Sequence, residues 1–135
     1  MLTVKASAKP SSINGIGLFA DEKIPKGTVM WKYDPRFDIS YSPEEVENFP
    51  AMQQDQIDRY AYLSKTSGKY IYSMDDSRFT NHSSQNPNED VVQFPNEPET
   101  CGVANRDIEI GEEILVNYRL FDAKDETSEE TYLSR

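Results

Sequence analysis

The sequence predicts an α+β fold in which β structure dominates. Short runs of β-branched and aromatic residues recur along the whole chain, glycine- or proline-marked turns separate them, and helix-start signals are confined to the middle. At 135 residues the chain is long enough for one real core and too short for two. No internal repeat or low-complexity linker interrupts it.

Leu2–Ala8 alternates apolar and polar residues as a strand does, and SSINGIGLFA then enters a turn, where Asn14-Gly15 and Gly17 supply positive-φ positions. Pro25-Lys26-Gly27 marks a second turn before the strand pattern TVMWKY, Thr28–Tyr33. Ser42-Pro43-Glu44-Glu45 joins an N-cap serine, proline at the first helical position and a glutamate three residues past the cap, so a short helix begins there. A second helix is expected from Ala51 to about Leu63. Strand patterns return at Lys69–Ser73, Asp90–Phe94 and Thr100–Ile108, and Ile110-Gly111 turns into a last one at Glu112–Tyr118. Residues 1–121 are expected to form one domain with a helical insert at about 42–64, followed by an acidic tail, 122–135.

The formal net charge is -10, from 24 acidic and 14 basic residues. Such a surface repels phosphate, so direct nucleic-acid binding is not expected, and it favours encounter with a basic peptide. Charge of this sign also keeps a small protein in solution, and alone it says no more than that. One cysteine, Cys101, and one histidine, His82, cannot build a disulfide framework or a structural zinc site, so no metal is expected. The first residues lack the apolar core of a signal peptide, and no run is long enough to span a bilayer. An intracellular protein, cytoplasmic or nuclear, with no membrane partner is expected.

Three islands carry possible chemistry. Gly15-Ile16-Gly17 is a weak motif alone; most such pairs are turns, and its functional use would be close backbone approach to a ligand. RFTNHSSQNPN, Arg78–Asn88, holds the histidine, but no G-x-S-x-G elbow surrounds Ser83 or Ser84 and no second histidine offers a metal site. His82 therefore reads as part of an ordered polar loop that works through its backbone. Ala104–Tyr118, ANRDIEIGEEILVNY, ends a strand on tyrosine, which is usually a packing residue with its hydroxyl bonded at the rim.

Taken together and in this order, the islands resemble the SET domain of protein lysine methyltransferases. INGIGLFADEKIPKGTVM is similar to that family's Gly-x-Gly-Leu-Phe-Ala opening, RFTNHSSQNPN to its Arg-Phe-x-Asn-His-Ser and Pro-Asn stretch, and NRDIEIGEEILVNY to the segment leading to its catalytic tyrosine. The resemblance runs from about Ile13 to Tyr118. It implies small curved antiparallel sheets with a knot-like crossing of the Asn81-His82 and Tyr118 segments, a rare arrangement among folds. It implies S-adenosylmethionine (SAM) as methyl donor, S-adenosylhomocysteine as product, and a lysine entering from the opposite face. By position, Ile16, Gly17 and Leu18 contact the cofactor through backbone, Arg78, Phe79, Asn81 and His82 hold its amino-acid and adenine parts, and Tyr118 is catalytic.

The lysine amine must be neutral to attack, and a desolvated channel or a nearby cation lowers its pKa. Aromatic channel walls are expected from Tyr70, Tyr72 or Phe121, each with packing as the equal alternative. Val116, two residues before Tyr118, stands where many relatives have Phe or Tyr and inclines the channel toward more than one methylation. Ser84 and the single cysteine rule out a cysteine-rich zinc segment after the domain, so Phe121, Tyr132 or a second subunit would close the channel. The leading expectation is a compact SAM-dependent lysine methyltransferase acting on histone tails or other basic proteins, with a homodimer plausible. The rival is a SET-fold module that binds SAM or a basic peptide without transferring methyl. The presence of Asn81, His82 and Tyr118 argues against it. Substrate choice would reside in the helical insert and the tail.

Overall fold

A computed structural model describes the whole chain except residues 127, 129 and 135, and of residues 131 and 132 the backbone only. Among the described residues, ten short strands and two α-helices build two sheets. Strands β1 (Ala6–Pro10) and β2 (Ile16–Ala20) form the first hairpin. Leu2 bridges to Trp31 outside it, so the expected Leu2–Ala8 strand begins later and runs to Pro10, which ends an edge strand that needs no further N–H donor. β3 (Val29–Trp31) and β4 (Asp38–Tyr41) precede helices α1 (Pro43–Glu47) and α2 (Ala51–Tyr60).

Helix α1 starts as its residues dictate: Glu45 N–H donates to Ser42 Oγ at 3.1 Å, and the Ser42 N–H donates to the Glu45 carboxylate at 2.7 Å. Helix α2 stops at Tyr60, short of the expected Leu63, because Ala61 is already extended and Tyr62–Leu63 pairs as β5 with β6 (Tyr70–Ser73). β4, β6 and β5 make a three-stranded sheet beside the helices.

The main sheet runs β1-β2-β10-β8-β9-β3, with β8 Glu89–Val92, β9 Cys101–Ala104 and β10 Glu113–Val116. β7, only Asn81–His82, lies parallel to β10 with Asn81 opposite Leu115 and His82 opposite Val116. The expected crossing takes this form: the last strand lies between the first hairpin and the Asn-His segment. Asn88 cements it. Its side chain donates to the Glu113 carbonyl and accepts from the Leu115 N–H, standing in for a strand rung while 1% exposed. Leu18, Ala20, Ile24, Met30, Ala104, Ile108 and Ile114 form the hydrophobic core cluster. Burying each large aliphatic side chain there is worth about 1.5–3 kcal/mol.

The acidic C-terminal segment folds back. Arg119 donates to the backbone carbonyls of Asp125 and Ser128, Asp122 and Asp125 are buried, and Leu133 is 1% exposed. Among the described residues, no helix is long and apolar enough to cross a membrane.

Candidate functional site

The two expected uses of glycine in the first island separate. Gly15 has φ +46, the turn role. Gly17 needs no positive φ; a Cβ there would stand 2.0 Å from Glu113 Oε1 and 3.1 Å from Asn81 Nδ2. Gly17 is therefore a close-approach position, set by β10 and β7 crossing against β2. Asn81 Nδ2 donates toward Glu113 Oε1 (2.9 Å), the Asn14 carbonyl (3.0 Å) and the Ile16 carbonyl (3.2 Å), and Ser11 Oγ donates to the other Glu113 oxygen. The three sequence islands are thus joined by one buried polar knot.

His82 is 2% exposed and its ring works in the fold. The Tyr118 N–H donates to Nδ1 at 3.0 Å, so Nε2 carries the proton and donates to the Leu133 carbonyl at 2.9 Å. One imidazole thereby fixes the backbone of Tyr118 and docks the tail. Both ring nitrogens are engaged within the fold.

Tyr118 begins a 3-10 turn after β10, and its hydroxyl donates to the Thr80 carbonyl. The ring lines a cavity of about 440 Å3, a size suited to a drug-sized ligand. The floor is one face of the main sheet: Leu18, Ile114, Val116, Glu89, Val91 and Gly102. Strand registers explain this common face, since Leu18 sits opposite Ile114, Val116 opposite Glu89, and Val91 opposite Gly102. Trp31, Tyr62 and Phe121 form an edge-to-face series along another wall, with centroids 6.2 Å and 5.0 Å apart, and Phe121 meets Tyr118 at 6.1 Å.

Of the residues expected at the site, Leu18, Arg78, Val116, Tyr118 and Phe121 line this cavity. Tyr70 and Tyr72 do not. Period-two alternation along β6 turns Ile71 and Ser73 to the cavity, and the two tyrosines pack instead on Val46, Ile57 and Ala61 beneath the helices. The aromatic walls are therefore Trp31, Tyr60 and Tyr62 together with Phe121. Pattern alone did not single these out, because each reads equally as core. Ile16 is 45% exposed, and Phe79 packs edge-to-face on Tyr60 at 5.8 Å under the Arg78 guanidinium. Tyr132, expected as a possible cap, lies outside the described side chains.

Electrostatics around the cavity are mixed at the rim and sparse inside. Asp58, Arg59 and Glu130 are exposed, while Asp122 is buried with its carboxyl raised above the usual range by desolvation. Inside, burial and the nearby Glu99 carboxylate push the Tyr62 hydroxyl upward, and burial pushes the Cys101 thiol up. Arg78 donates one N–H to the Met74 carbonyl and lies 4.8 Å from the Phe79 ring centroid, and a guanidinium offers five donors. The described residues hold no group of three or more histidine, cysteine, aspartate or glutamate side chains placed to bind a metal.

Residues 15–119 match the family model of the SET domain. The structure resembles that of a Plasmodium falciparum protein assigned as a histone methyltransferase, with TM-score 0.56 and 21% identity, over 84% of this chain and 92% of that one. CpSET8 from Cryptosporidium gives TM-score 0.59 and 24% identity over 84% of this chain and 56% of its own. The Chaetomium thermophilum polycomb repressive complex 2 gives 0.64 and 25%, over 85% of this chain but only 15% of the partner in the comparison. No curated protein matches the chain.

Proposed function

The chain belongs to the SET-domain family, and from that premise we propose that it is a SAM-dependent protein lysine N-methyltransferase. One observation carries the reading: the Tyr118 hydroxyl meets the Thr80 carbonyl in the wall of a cavity, on a backbone locked by His82. SAM, when bound, supplies an electrophilic methyl group on a cationic sulfur.

The residues present fit such a guest. The cavity has the volume, and Arg78 has spare donors for a carboxylate. The backbone of Leu18, which lines the cavity, and of Gly17 and Asn81–His82 beside that lining would hold the rest. Because Tyr118 donates its proton to Thr80, its oxygen lone pairs turn away from that carbonyl and remain acceptors for an amine N–H or a polarised methyl C–H. Leu18, Ile71, Ile114 and Val116 supply apolar walls that disfavour an ammonium and favour the neutral amine. Holding amine and methyl donor in line removes much of the entropic part of the barrier.

The substrate class is proposed as basic protein segments, histone tails among them, drawn by the net charge of -10. Incubation with methyl-labelled SAM, a histone mixture and a whole-cell extract tests the reading. Label on lysine supports it. SAM binding by calorimetry with no label in either mixture would replace it with the binding-module reading.

A further inference from the structure

Glu89 stands on the cavity floor where every sheet neighbour is apolar or glycine. Its Cα partners are Val116 on β10 and Ala104 on β9. Its carboxylate lies over Gly102: a Cβ there would stand 1.8 Å from Glu89 Oε1, so the glycine makes the room. Gly102, Glu89 and Val116 all line the cavity. Among the described residues the Glu89 carboxylate has no hydrogen bond or ion pair; the side chain is half-buried and no fully buried polar atom is left unpaired, so cavity water solvates it. A carboxylate on an apolar floor, with only cavity water to solvate it, is poised to receive a cation.

We propose that Glu89 is the acceptor for the substrate's ε-ammonium group, binding it as an ion pair and then taking one of its protons. The proposal rests on the lysine methyltransferase reading and names the proton acceptor within it. The step balances within the pair: an ammonium N–H bond breaks, an O–H bond forms on Glu89, and the nitrogen keeps the lone pair with which it attacks. The carboxylic acid then loses its proton to water between turnovers. The position also suits the task, because Glu89 lies directly beside Val116, whose small side chain leaves space next to Tyr118.

Burial sets Glu89 for proton exchange near neutrality, raising its carboxyl to about 7. The ionisable groups facing it across the cavity are Cys101 on β9, Tyr62 on β5, Tyr60 on α2, Tyr118 on its 3-10 turn and Arg78 on another, Asp76–Phe79. Asp58 and Arg59 on α2 and Asp122, Lys124, Asp125 and Glu130 in the C-terminal segment complete the set. None accounts for the elevation, which comes from burial alone.

The test uses n-butylamine as the probe and Trp31, the sole tryptophan and a cavity residue, as the fluorescent reporter. The expected result is saturable butylammonium binding that strengthens as pH rises through about 7. It weakens at least tenfold in Glu89→Gln and in Gly102→Ala, whose methyl displaces the carboxylate without removing it. Equal, pH-independent amine binding by wild type and Glu89→Gln would overturn the proposal. Glu89-dependent amine binding in a protein that transfers no methyl would defeat the methyltransferase reading and leave the amine site standing. Methyl transfer with unchanged KM and pH profile in Glu89→Gln would do the reverse.

Discussion

Replacing Glu89 with glutamine should stabilise the protein, and only above a defined pH. The folded chain raises this carboxyl from its ordinary 4.5 to about 7, so the folded state binds the proton more tightly than the unfolded one. Below about pH 4.5 the group is protonated in both states and costs nothing. Between the two values the unfolded chain ionises first and stability falls, and above about 7 the full penalty is present. At about 1.4 kcal/mol per pKa unit the interval amounts to about 3 kcal/mol. Part of the side chain faces cavity water, which reduces the expected gain to about 1–3 kcal/mol. With a urea slope of about 2 kcal/mol per molar, the glutamine variant should unfold at a midpoint about 1 M higher at roughly pH 8. Near pH 5 the two proteins should nearly coincide. Urea titrations at both pH values decide the matter. A difference that does not change with pH would refute the reasoning, since it would mean Glu89 is not ionising in a desolvated setting.

Further predictions concern the polar knot and the caps. His82→Ala removes both the bond to the Tyr118 N–H and the anchor of the Leu133 carbonyl. It should cost about 2–4 kcal/mol and expose the Tyr118 amide to hydrogen exchange; protection equal to wild type would contradict the anchoring role. Gly17→Ala drives Glu113 off Asn81 and Ser11, so thermal unfolding should fall by about 1–3 kcal/mol and SAM affinity with it. Ser42→Ala removes the capping box of α1 and should lower stability by about 1 kcal/mol while leaving SAM affinity unchanged.

The parts of this fold that follow local rules were legible in the sequence. Ser42 and Glu45 form their capping box as the spacing required, and Lys69–Ser73 and Glu112–Tyr118 lose only their ends when they become β6 and β10. The parts decided by long-range pairing were not. Asn81–His82 has only two residues in its strand, with no alternation to read, and its pairing with Leu115–Val116 depends on residues more than thirty positions away. Tyr62–Leu63 was hidden differently: a helical pattern continued through it while β6, seven to nine residues on, captured the backbone.

The site shows a similar division. Leu18, Arg78, Val116, Tyr118 and Phe121 line one cavity, whereas Ile16, Gly17, Phe79, Asn81 and His82 are not among its lining residues. Tyr70 and Tyr72 were misjudged because strand parity, not aromatic character, decides which face a side chain takes, and β6 could be entered on either parity. Glu89 was overlooked because one acid in a chain with 24 acidic residues carries no signal until its neighbours are known. The clue available was its place: an acid at the head of a strand pattern, directly after Pro87-Asn88, where the face turns inward.

The central claim is that Tyr118 acts on a lysine amine in this cavity, and single-turnover methyl transfer from labelled SAM to a histone mixture tests it most directly. The account predicts methyl-lysine product from wild type, and from Tyr118→Phe a rate lower by about a hundredfold or more with SAM affinity retained. Equal rates in the two proteins, or label on a residue other than lysine, would contradict it.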